Sequence, residues 1–136
     1  MSGIRVLIVE DDPFIAMDIE SAVADQLGDH AELIVVKSIA EARKATSSGL
    51  SCALLDVDVV DGKTFDIAAS LLKRGTPFAF VSGSAPGDLP DPLRKARFLR
   101  KPFSAREVVA FVRSVVDPAA AAAWSAPVNP ASESSA

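Results

Sequence analysis

Residues 6–13 read VLIVEDDP. Four apolar residues, Val6 to Val9, run straight into Glu10, Asp11 and Asp12, a proline follows, and the next lysine or arginine along the chain is Lys37. A second junction of the same kind occupies residues 53–62, ALLDVDVVDG, where Asp56 follows Ala53-Leu54-Leu55 directly. Short apolar runs of this sort read as strands buried on both faces. Both junctions therefore place carboxylates at the carboxyl end of a buried strand. Asp12 has a local explanation, because Asp is a favoured helix N-cap and Pro is favoured at the first helical position. Glu10, Asp11 and Asp56 have none.

Working outward, apolar runs alternate with amphipathic segments. Ile4–Val9, Leu33–Val36, Cys52–Leu55, Phe78–Val81 and Phe98–Leu99 read as strands buried on both faces. Between them, Ile15, Ile19, Ala22 and Val23 recur at helical spacing until Gly28. Ser38 with Glu41 and Ser104 with Glu107 form capping boxes, in which hydroxyl and carboxylate satisfy free amides at a helix start. Phe65, Ala68 and Leu72 mark a third helix, and Val108, Val109, Val112 and Val116 mark the last. Residues 83–96, GSAPGDLPDPLRKA, carry three prolines and two glycines where a fourth helix belongs. They allow a turn or two near Asp91–Ala96. The pattern predicts an α/β fold: a flavodoxin-like, doubly wound (βα)5 unit with a five-stranded parallel sheet in the order 2-1-3-4-5 and a shortened, irregular fourth helix.

The chain has 136 residues, 49% hydrophobic and 24% charged, which suits one domain with one core. Residues 1–116 form the expected domain. Residues 117–136 are an Ala/Pro/Ser-rich tail, read as solvated or as a short alanine helix. A net charge of −4 with no basic stripe argues against a nucleic-acid binder. The single cysteine, Cys52, rules out an internal disulfide framework and fits a reducing, cytoplasmic location. The single histidine, His30, argues against a His/Cys zinc site. No run approaches the ~18 apolar residues of a membrane span.

In the order 2-1-3-4-5, the first and third strands are neighbours, so Glu10, Asp11 and Asp56 converge. Two carboxylates ~5 Å apart repel by roughly 3 kcal/mol at an effective dielectric near 20. Such a cluster calls for a proton or a cation, and oxygen-only ligands with retained waters suit Mg2+. The same edge receives Ser82, which ends the fourth strand, and Lys101, which follows the fifth. Acids that hold a hard cation, with a hydroxyl and an ammonium beside them, make a phosphoryl site.

Over residues 4–116 the chain resembles the receiver domains of two-component response regulators. The resemblance implies that Asp56 is the phosphoacceptor, taking a phosphoryl group from a histidine kinase or a histidine phosphotransfer protein. It implies that Mg2+ is held by Asp56, by Asp11 directly, by Glu10 through water and by the backbone carbonyl of Asp58. Ser82 and Lys101 would meet the phosphoryl group. Ser82 and Phe98 would switch on activation, Phe98 standing where the family has a rotating aromatic, usually tyrosine. Asp58 and Ser84 occupy positions that modulate dephosphorylation, and the Lys101–Pro102 bond would be cis. The chain would then be a signalling protein, not an enzyme beyond self-catalysed phosphotransfer and autodephosphorylation. It would act by contact with a downstream protein target.

Three departures limit the analogy. Val60 replaces a common proline, the Ser82-to-Lys101 stretch is short and proline-rich, and Phe98 lacks a hydroxyl. No output domain fits within residues 117–136, so a single-domain protein is expected. Phe111 and Val115 would add apolar surface to the last helix for a partner or a homodimer. Two rival readings share the motifs. LLDVD also resembles the first motif of haloacid-dehalogenase-type phosphatases, with Asp56 as nucleophile and Asp58 as acid–base. That family needs metal-binding acids after its lysine, and here only Glu107, Asp117 and Glu133 follow Lys101. The second rival is an interaction module that keeps the fold but signals without phosphate.

Overall fold

The structure, a computed structural model, describes residues 4–28, 31–83 and 89–116. Strand β1 (Ile4–Val9) leads into α1 (Pro13–Leu27), then β2 (Ala31–Val36), α2 (Ile39–Thr46) and β3 (Cys52–Leu55). A two-stranded hairpin, β4 (Asp58–Val59) and β5 (Gly62–Lys63), precedes α3 (Phe65–Arg74). Strand β6 (Phe78–Ser82), β7 (Arg97–Arg100) and α4 (Ala105–Val116) complete the unit. The main sheet is parallel in the order β2-β1-β3-β6-β7, the predicted 2-1-3-4-5 arrangement once the hairpin is set aside.

Strand alternation divides the core into two layers. Val6, Ile8, Cys52, Leu54, Ala79 and Val81 pack beneath α1 and α4. Leu7, Val9, Ala53, Leu55, Phe78 and Phe80 pack beneath α2 and α3. Burial on both faces holds for β1, β3 and β6. It fails for β2, an edge strand that starts at Ala31 and leaves Val35 exposed. Ala31 and Leu33 still pack on one layer and Ile34 and Val36 on the other, but with a strand on one side only, the edge position leaves them partly open.

Local signals set the helix ends. Asp12 caps α1, its carboxylate accepting from the amides of Phe14 at 2.9 Å and Ile15 at 3.3 Å, with Pro13 in the first turn. Ser38 and Ser104 accept the amides of Glu41 at 3.1 Å and Glu107 at 3.2 Å, as capping boxes require. Asp61, on the hairpin turn, adds a second cap to α2. Its two oxygens accept from Ile39 at 2.7 Å and Ala40 at 3.2 Å. The Ile39 amide is the main reason the Asp61 carboxyl lies below its ordinary range.

Among the described residues between β6 and β7, the fourth-helix position holds one 3-10 turn, Asp91–Leu93. Leu89 and Leu93 tuck from this segment into the α2–α3 layer, so two leucines fill space that a helix would otherwise cover. Two packing expectations are corrected. Leu72 is 54% exposed, and α3 buries Leu71 in its stead, with Ile67 and Ala68. Phe111 is 0% exposed, sealed between α4 and the sheet with Arg97 over its ring, and Val115 packs partly against the same core. The apolar outer face expected on the last helix is therefore mostly core. The tail, residues 117–136, lies outside the described residues.

Candidate functional site

Backbone pairing carries β1, β3, β6 and β7 to a common edge. Val9 lies opposite Leu55, and beyond this pair the Asp56 amide donates to the Val9 carbonyl at 2.8 Å while the Glu10 amide donates to Val36 at 3.0 Å. Glu10 and Asp56 thus extend adjacent strands by one residue each. Ser82 lies opposite Arg100, and the Lys101 amide donates to the Ser82 carbonyl at 2.9 Å. The Lys101–Pro102 bond is cis, as the resemblance implied.

Glu10, Asp11 and Asp56 come together: each offers a carboxylate oxygen, and these atoms lie within 4.8 Å of one another. Glu10 and Asp56 are buried and Asp11 is half-buried. Lys101, 91 residues from Glu10 in the chain, closes the cluster. Its Nζ lies 2.9 Å from Glu10 Oε1 and 3.5 Å from Asp56 Oδ2. Glu10 Oε2 accepts the Asp12 amide at 3.1 Å. Burial pushes the Glu10 carboxyl up to about 7, against the opposing pull of Lys101 and the Asp12 amide and with help from neighbouring Asp56. Burial works against the Lys101 ammonium too. The Glu10 hydrogen bond and the charges of Asp56 and Glu10 outweigh it, so its pKa rises.

An oxygen-only donor set of this spacing and charge fits Mg2+. Glu10, Asp11 and Asp56 would hold the ion, and it would neutralise the negative charge they concentrate at the sheet edge.

The remaining predicted residues are placed as follows. Ser82 is buried at the end of β6. Phe98 is half-buried on β7 and tilts against Phe80, with ring centroids 6.3 Å apart. The Asp58 carboxylate is exposed and pairs with Lys63 across the hairpin. A carboxylate engaged this way is poorly placed to serve as the acid–base partner that a phosphatase reading needs. Ser84 lies outside the described residues.

Thr64 is the residue that sequence reasoning missed. It is 0% exposed, and its hydroxyl donates to the Asp56 carbonyl at 2.6 Å. Next to it, Phe65 meets Phe80 edge-on at 6.4 Å, and Phe78 meets Phe80 at 5.5 Å. A threonine immediately before a helix signals only a cap, so nothing in the sequence marks the second role.

No protein-family model matches the sequence, and no curated protein does. Solved structures match closely in fold. SdrG from Sphingomonas melonis Fr1 is 30% identical with a TM-score of 0.69, over 85% of this chain and 99% of that one. The non-phosphorylated HemR receiver domain from Leptospira biflexa is 26% identical with a TM-score of 0.69, over 84% of this chain and 94% of that one. This chain is a response-regulator receiver domain. A further receiver-type fold, the response regulator TrrA from Thermotoga maritima in complex with Mg2+-BeF, aligns with a TM-score of 0.69 at 18% identity, over 83% of this chain and 99% of that one. Among the described residues of this receiver domain, no helix is long and apolar enough to cross a membrane.

Proposed function

We propose that this receiver domain accepts a phosphoryl group on Asp56 from the phosphohistidine of a sensor kinase or histidine phosphotransfer protein, in a Mg2+-dependent reaction. It would then signal from the cytoplasm by protein contact. The observation that carries the reading is the convergence of Glu10, Asp11, Asp56 and Lys101 within one charged cluster at the sheet edge.

An oxygen of Asp56 attacks phosphorus, the P–N bond breaks, and the imidazole nitrogen leaves with the bonding pair. Asp11, Asp56 and, through water, Glu10 would hold the metal, and the Asp58 carbonyl would add a ligand from the hairpin. When bound, Mg2+ neutralises the oxygens of the transferring group. Lys101 already touches the acceptor carboxylate, so its ammonium stands ready for a phosphoryl oxygen. The aspartyl phosphate adds roughly one to two negative charges at that edge. Ser82 and Phe98 respond to it, Phe98 by repacking against Phe80, and Asp58 and Ser84 tune the lifetime of the phosphate. The exposed side chains of Phe14 and Met17 on α1, beside the acids, offer apolar surface to an incoming phosphodonor protein.

The test is phosphorylation by acetyl phosphate, read by intact mass. One phosphoryl group per chain is expected with Mg2+, and none with chelator or with Asp56→Asn. Label that survives Asp56→Asn, or a wild-type chain that takes none, overturns the reading.

A further inference from the structure

Thr64 stands at the N-cap of α3, where a threonine hydroxyl ordinarily accepts an amide from the first turn of its own helix. Here the side chain makes no capping bond. The hydroxyl instead donates backwards, to the Asp56 carbonyl at 2.6 Å, with the Val57 carbonyl farther away at 3.4 Å. Val57 is served by another donor, the Thr64 amide, at 2.9 Å. A hydroxyl carries one proton, so the shorter contact is the bond it makes.

The consequence lies at Asp56. Its amide is tied to Val9 on β1 at 2.8 Å, and its carbonyl is tied to Thr64. Both peptide planes that flank the residue are therefore held, and with them the direction of its Cα–Cβ bond. Thr64 is fully buried, so water has no access to replace the bond. The plane that Thr64 holds also starts the path toward Asp58.

We propose that Thr64 is a positioning residue of the acceptor site, its hydroxyl aiming the Asp56 carboxylate through the backbone carbonyl. This rests on the reading of Asp56 as phosphoacceptor. Thr64 touches no reacting atom. Its effect comes from orientation, where a displacement of ~1 Å can cost up to about a hundredfold in rate.

Thr64→Val keeps the shape and removes the donor, whereas Thr64→Ser keeps the donor and removes a methyl. Both are compared with the wild-type chain for Mg2+-dependent phosphorylation by acetyl phosphate and for the 13C resonance of the Asp56 carbonyl in the metal-free protein. Thr64→Val is expected to lower the limiting rate about tenfold or more, leave the half-saturating acetyl phosphate concentration unchanged and shift the Asp56 carbonyl upfield. Thr64→Ser is expected to restore both readouts, with the rate within about twofold of wild type. A wild-type limiting rate in Thr64→Val, an unmoved carbonyl resonance in it, or a folded Thr64→Ser that is as slow as Thr64→Val overturns the proposal. If Thr64→Val does not fold, Thr64→Ala replaces it under the same criteria. Absence of label in the wild-type chain would strike the acceptor reading instead, and the carbonyl resonance would still judge the hydrogen bond.

Discussion

The Lys101 ammonium lies 2.9 Å from the Glu10 carboxylate and 3.5 Å from that of Asp56, bridging two strands that are not sheet neighbours of β7. In the metal-free chain this side chain answers the repulsion that the acids create. Lys101 is a fifth exposed and Glu10 nearly sealed, so the contact belongs with partly buried ion pairs. Lys101→Met should therefore cost about 2 kcal/mol of metal-free stability at pH 8. The same substitution removes a cation that competes with the ion, so Mg2+ should bind more tightly. Denaturant titration and calorimetry would check the two halves, and weaker Mg2+ binding would count against the competition.

Glu10 supplies a pH dependence. Its carboxyl is raised from 4.5 in a solvated setting to about 7 in the fold, so between these values the native state holds the proton and the unfolded state does not. The stability tied to this group is present in full below pH 4.5 and is lost as pH rises through 7. Glu10→Gln, which cannot ionise, should gain on wild type by roughly 1 kcal/mol per pH unit across this interval. Mg2+ affinity should climb over the same range, because a ligand must shed its proton. Denaturation curves at several pH values with chelator present would measure the first effect. A pH-independent difference between the two proteins would contradict the shift.

Asp11 is the half-buried member of the cluster and the least committed to Lys101. Asp11→Asn should weaken Mg2+ binding tenfold or more, to judge by its share of a three-acid donor set, on the order of 1.4 kcal/mol. It should also raise the metal-free melting temperature by a few degrees, because one like charge is gone. Calorimetry with and without Mg2+ separates the two. A lower metal-free melting temperature would mean that the acids do not strain one another.

The corrected packing yields a contrast within one family of residues. Phe111→Ala empties a sealed position and should cost about 3–5 kcal/mol. Leu72→Ala alters an exposed side chain and should fall within about 0.5 kcal/mol of wild type. Equal effects in urea unfolding would refute the burial assignment.

What was legible in the sequence were features that depend on near neighbours. Apolar runs ending in acids located the sheet edge, capping boxes located helix starts, and prolines between Ser82 and Arg97 foretold the short turn at Asp91–Leu93. The acid cluster followed because strand order and strand ends together place Glu10, Asp11 and Asp56. Strand ends brought Lys101 to that edge as well, but not the particular acid it pairs with, Glu10. Nothing near Asp61 announces the first turn of α2. Helix rotation was equally hidden: Leu71 and Leu72 are the same residue type, and only packing decides which faces inward. On α4 the apolar residues are numerous enough that Phe111 fits either side of the periodic stripe. The Asp58–Lys63 pair depends on a two-residue hairpin whose glycine, Gly62 at φ 135°, permits a backbone shape most side chains resist.

Asp61 commits both carboxylate oxygens to a helix other than the one its own loop enters. The segment that follows Asp56 is thereby moored to α2, five residues beyond that carboxylate. A shift of that segment would pull on the opening turn of α2, because the two hydrogen bonds leave Asp61 no slack.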